Sequence, residues 1–200
     1  LLAGAAPGDP RLAASIRVLR RRCDQADDRE RRHAAAARAW AGGDAGLALQ
    51  RHGELVIDYP RDSLALQLAH ALDFRAGQRE MLRDRVAQVL PHWDASVAGF
   101  GYILGMYAFG LEETGDYPRA EAAARRALEL EPHNAAAIHV VAHVMEMQGR
   151  ARDGIAWLNL TRPTWLASRG FALHNAWHLA LFHIDLDAPD TALALYDELL

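Results

Sequence analysis

The histidines are the residues of this chain best suited to chemistry. Two pairs stand at i, i+4 spacing, His139 with His143 and His174 with His178. On a helix that spacing sets two imidazoles about one turn apart on a single face. Such pairs chelate metal ions, and Glu146, three residues past the first pair, adds a carboxylate to the donor types that zinc or a redox metal accepts. The same imidazoles can instead exchange protons, because an unperturbed histidine titrates near neutral pH. A third reading is structural: hydrogen-bonded wall residues among aromatic neighbours. H-x-x-x-H without the glutamate of H-E-x-x-H does not by itself choose among the three.

Composition removes most other chemistry. All 22 basic residues are arginine, and the absence of lysine excludes Schiff-base catalysis, pyridoxal phosphate anchoring and the P-loop lysine together. No nucleophilic serine or cysteine motif, phosphate-binding glycine loop or dinucleotide fingerprint is present. A formal charge of −4 and a pI near 6.2 leave no basic footprint, so neither nucleic acid nor a membrane surface is an expected partner. The single cysteine, Cys23, forms no internal disulfide, and the opening residues lack the order of a secretory leader, so a cytoplasmic setting is expected. Residues 95–111 are uncharged but carry four glycines and fall short of a membrane span, which points to a buried helix instead. At 51% apolar residues over 200, the chain has ample material for a core.

The elements that must position the histidines follow from a repeat. Turns at Gly43-Asp44, Gly77-Gln78, Gly115-Asp116, Gly149-Arg150 and Asp187-Ala188 stand 34, 38, 34 and 38 residues apart. Prolines 60, 91, 132 and 163 follow the first four turns by 17, 14, 17 and 14 residues. Between these landmarks apolar residues recur at three and four, as at Ala120, Ala123, Ala124, Ala127 and Leu128, which is helical periodicity. Each turn therefore joins a first helix to a second, and each proline closes the second helix. The unit is a helical hairpin of about 34 residues, the tetratricopeptide period.

The expected fold is all-α: a tetratricopeptide-type right-handed superhelix of helical hairpins, given as a partial chain. A helical segment over 1–28 precedes about five hairpins, 29–60, 61–93, 94–132, 133–165 and 166–200, in one continuous solenoid. First helices are expected near 29–42, 62–76, 97–114, 134–148 and 171–186. The second helices after Gly77 and Gly149 should be short. Residue 200 falls in an apolar second helix with no polar cap after it, so further repeats are expected beyond the ends.

Side-chain direction follows from position in the repeat. With the turn residue as position 15, positions 4, 7, 8 and 11 face the partner helix, while 2, 5, 6, 9, 12 and 13 face the groove that first helices line. His139, His143 and Glu146 take positions 5, 9 and 12 of the fourth repeat. His174, Trp177 and His178 take positions 2, 5 and 6 of the fifth, and Tyr102, Phe109 and Glu113 take 2, 9 and 13 of the third. Glu112 is expected to be solvated. His33 and Trp40, at positions 5 and 12 of the first repeat, could extend the groove but fit ordinary wall. His70 and His183, at positions 8 and 11, are expected in the core, and nothing functional attaches to His52, His92 or His133.

Several longer strings resemble the tetratricopeptide repeat protein 38 family: R-E-R-R-H-A-A-A at 29–36, L-A-L-Q-L-A-H at 64–70, G-M-Y-A-F-G-L-E-E at 105–113, H-V-V-A-H-V-M-E-M at 139–147 and H-N-A-W-H at 174–178. The resemblance implies a longer repeat protein and supplies no activity. Two functions therefore stand open. In the first, the groove holds a peptide, a partner segment or a small molecule against the histidines and aromatics. In the second, the chain is an enzyme in which His139, His143, His174 and His178, with Glu146, hold a divalent transition metal or act as acids and bases. A groove filled by a further segment of the same protein is the architectural alternative.

Overall fold

The computed structural model describes residues 5–168 and 170–199. Among these the chain forms twelve α-helices and two short 3-10 turns, and no strand. Two compact units divide between Trp93 and Asp94.

The first unit holds α1 (Pro10–Arg22), α2 (Asp28–Ala41), α3 (Ala45–Asp58), α4 (Ser63–Arg75) and α5 (Arg79–Val89). Its helix starts are written locally. Asp27 and Glu30 form a capping box on α2, and the side chains of Asp44 and Asp62 accept the free amides of Leu47 and Ala65, each such cap contributing about 0.5–2 kcal/mol. Small residues allow close helix contact: Ala36, Ala48, Ala65 and Ala69 are fully buried beside Leu55, Val56 and Val86. In the second hairpin buried Asp73 accepts from Arg85 Nε at 2.7 Å and Nη2 at 3.1 Å, a paired charge where an unpaired one would be costly.

The second unit holds α6 (Phe100–Glu113), α7 (Tyr117–Leu130), α8 (Ala135–Met147), α9 (Ala151–Leu160), α10 (Arg162–Leu166), α11 (Ala172–Asp185) and α12 (Pro189–Leu199). Helix α8 is its centre, packed on α6, α7, α9 and α11, with Ile138, Val140, Val141, Ala142 and Val144 buried. Gly154 on α9 leaves room for Phe182 on α11, whose ring would lie 2.3 Å from an added Cβ. That contact brings α11 against α9 and so fixes the height of the histidines α11 carries.

The turn residues adopt one conformation throughout. Gly43, Gly77, Gly115 and Gly149 have φ of 86°, 69°, 80° and 67°, and Asp187 occupies the same left-handed region at 55°, where glycine is favoured for want of a Cβ. Second helices α5 and α9 have 11 and 10 residues against 14 in α3 and α7. Pro163 departs from expectation. Rather than only ending α9, it sits in the first turn of the short α10, where its missing amide costs nothing, and α10 carries Trp165, fully buried with Nε1 donating to Leu158 O at 2.8 Å. The uncharged stretch over 95–111 contributes to α6, a 14-residue helix, and no described helix is long and apolar enough to cross a membrane.

Candidate functional site

The seam between α8 and α11 gathers four histidines. His139, on α8, has its ring centroid 4.6 Å from His174, 5.0 Å from His178 and 5.6 Å from His143. Nitrogen distances are closer still. His178 Nε2 lies 3.1 Å from His139 Nε2 and 3.2 Å from His174 Nε2, and the three ligating nitrogens of His139, His174 and His178 all lie within 4.8 Å of one another. These three residues are the described group able to share one metal ion.

Two carboxylates stand behind the rings. Glu146 Oε2 lies 2.5 Å from His178 Nδ1, and Glu112 Oε1 lies 2.5 Å from His143 Nδ1. An ionised carboxylate only accepts, so each Nδ1 carries the hydrogen, and the Nε2 of a neutral His178 presents a lone pair toward His139 and His174. The hydrogen bond from His178 holds the Glu146 carboxyl below the usual glutamate range, and the bond His143 donates to Glu112 raises the pKa of His143. Burial, and then the neighbouring rings of His178, His174 and His143, push His139 far below an ordinary histidine. Burial and then His178 and His143 also lower His174. Desolvation thus favours the neutral form of these two rings, the form in which imidazole donates a lone pair.

The structure brings these histidines together, but it does not leave them on an open groove face. His139 is 6% exposed and His178 1%, because position 5 of α8 and position 6 of α11 pack against each other across adjacent first helices rather than facing open space. The cluster reaches solvent through exposed His174 and through Trp177, 47% exposed, whose ring centroid lies 5.6 Å from His174 and 5.2 Å from His178. Phe109 borders it, 6.4 Å from His139. Tyr102 stands half exposed on α6 and makes none of the ring contacts that join the others. Glu113 is partly exposed and acts on His143 through its charge.

Two members of the site escaped the sequence reading. Glu112 is 4% exposed and bonded, not solvated. The signal for it existed, since Glu112 occupies position 12 of its repeat, as Glu146 does, and each reaches the Nδ1 of a histidine on the next first helix. Phe171, at the N-cap of α11, lies 5.5 Å from His139 and had no periodic signal because it precedes the helix.

The remaining candidates scatter. His33 Nε2 lies 2.7 Å from Asp62 Oδ2, and His52 is 1% exposed with neither ring nitrogen hydrogen-bonded. Both line a cavity of about 790 Å³ in the first unit with Ala37, Leu64 and Leu68. Trp40 is buried and donates to Ala5 O. His70 and His183 are partly buried, while His92 and His133 are exposed.

No family model matches the chain. Among solved structures it is similar to MamA, with 13% identity over 81% of this chain and 90% of that one at a TM-score of 0.60. It is similar also to the MamA RS-1 ArsTM double mutant, at 14%, 86%, 92% and 0.63. A third similar structure is TTC0263, a thermophilic tetratricopeptide repeat protein in Thermus thermophilus, at 17%, 85%, 89% and 0.62. Identities this low speak for architecture alone, and with the left-handed turn closing each helical hairpin they show that the chain has the tetratricopeptide-type helical solenoid fold.

Proposed function

We propose that this chain is a tetratricopeptide-type binding scaffold whose working site is the histidine–carboxylate cluster of α8 and α11. Its ligand, a peptide, a partner segment or a small molecule, would enter beside His174 and Trp177, with Phe109, His143, Glu146 and Glu113 as further lining and Tyr102 at the margin. One observation carries this reading. Four imidazoles and Glu146 gather at a helix–helix seam, with Glu112 of α6 behind His143, where aliphatic side chains would pack at lower desolvation cost, and such clusters of perturbed titratable groups concentrate at functional sites. The fold supports the scaffold part by analogy only.

The five repeats over 29–200 and the strings at 105–113, 139–147 and 174–178 support membership in the tetratricopeptide repeat protein 38 family. The lone cysteine suits a cytoplasmic place of action. A second reading is acid–base catalysis. It is favoured by the Glu112–His143 and Glu146–His178 pairs, since a carboxylate that orients an imidazole is the arrangement proton-transfer enzymes use.

Trp177 is the most exposed of the described tryptophans, so its fluorescence reports on this site. A peptide and small-molecule library screened against the purified chain should return ligands that shift its emission and whose affinity drops about tenfold or more in His174→Ala. Ligands that bind His174→Ala as tightly as the wild type would place the working surface elsewhere.

A further inference from the structure

We propose that His139, His174 and His178 hold one divalent transition metal ion through their Nε2 atoms, with a fourth coordination position left open toward the exposed edge of the cluster. This inference rests on the reading of the cluster as the working site and names its occupant. Two imidazole nitrogens bound tetrahedrally to zinc at about 2.0–2.1 Å are about 3.3 Å apart. The observed separations from His178 Nε2, 3.1 Å to His139 and 3.2 Å to His174, match that spacing within a few tenths of an ångström. One ring nitrogen of His139 and one of His174 lie within 4.8 Å of each other, and rotation of His174, the exposed member of the three, would close the set around an ion.

The outer contacts distinguish a metal cage from packed rings. Glu146 takes the Nδ1 hydrogen of His178, which fixes the tautomer that leaves Nε2 free to ligate, the carboxylate–histidine–metal arrangement of known sites. Without a shared ion, three Nε2 atoms crowd together with at most two hydrogens to place between them. With one, all three lone pairs have a common acceptor. Three neutral nitrogen donors suit zinc and its neighbours in the first transition series rather than magnesium or calcium, which take oxygen.

The same contacts narrow the donor set. Glu146 Oε2 is engaged by His178, and His143 lies outside the group whose ligating nitrogens come within 4.8 Å of one another, so both residues support the site from outside. Three histidines and an accessible fourth position are the arrangement of zinc centres that bind water or a substrate, whereas closed structural sites carry four protein ligands. The exposed edge at His174 and Trp177 gives that position a route to solvent.

The test uses the full chain, purified without a histidine tag, stripped with chelator and titrated with zinc and with cobalt. Wild type should bind about one ion per chain and give the intense visible bands of four-coordinate cobalt. His174→Ala, an exposed substitution, should weaken zinc binding by about a hundredfold, and Glu146→Gln by about 10–100-fold at unchanged stoichiometry. Circular dichroism of the stripped variants checks that they fold. Absence of zinc binding by wild type, or equal binding by His174→Ala, overturns the metal. If stripped wild type still binds library ligands and His174→Ala does not, the metal alone has failed. If the two bind those ligands alike, the working-site reading has failed as well.

Discussion

The two units place different residues at equivalent positions of the repeat. Where the second unit has His139, His143 and Glu146 on α8 and His174 and His178 on α11, the first has His33, Ala37 and Trp40 on α2 and Leu64 and Leu68 on α4. In the second unit the convergence point is filled by rings. In the first, His33, Ala37, Leu64 and Leu68 border the cavity of about 790 Å³ instead. In the second unit α8 packs directly on α11 and the rings meet as a polar cage, whereas in the first α2 and α4 face each other across the cavity, whose lining also includes Arg29, His52 and Asp62. The one shared histidine also differs in partner. His139 meets other imidazoles, while His33 is held by Asp62, whose carboxyl is lowered despite burial by the Ala65 amide and by His33 itself.

The sharpest way to break this comparison is to convert one region into the other. In a His174→Ala/His178→Ala background, Leu64→His together with Leu68→His should create zinc binding in the first unit where His33 already stands. The expected gain is about a thousandfold over the background, roughly 4 kcal/mol, read by calorimetric titration. No gain would mean that the repeat positions alone do not set the geometry.

A smaller effect should come from His52, under the same cavity. Burial, and then the charge of His33, lowers its pKa to about 4. The unfolded chain therefore takes up a proton near pH 6.5 that the folded chain resists, so this stability is complete above pH 6.5 and is lost as pH falls toward 4. The loss is roughly 3 kcal/mol. Denaturation of wild type and His52→Phe at pH 7 and pH 4.5 checks it. Equal acid loss in both proteins would show that His52 finds a partner on folding.

The smallest effect concerns the turns, which the units share. Asp187→Gly should stabilise the second unit by up to about 1 kcal/mol, and Gly77→Asp should destabilise the first by a similar amount. Urea denaturation measures both. A change of the wrong sign at position 187 would show that its side chain supports the turn.

The turns and helices were legible because they are local. A left-handed residue between two apolar-periodic stretches specifies a hairpin whatever lies beside it, and 100° per residue then sends positions 139, 143, 174 and 178 to one side. The sequence by itself also limited the chemistry, through histidine pairs and the absence of lysine. Depth and partners were not legible, because they depend on where the next helix stops. Gly154 against Phe182 sets the approach of α11, and only that approach buries His139 and His178 and joins His178 to Glu146. Glu112 and Glu113 illustrate the same limit. Both point toward the groove side by phase, and the position of α8 gives His143 to Glu112. Helical phase is a property of one segment, whereas a hydrogen bond between first helices is a property of the distance between two.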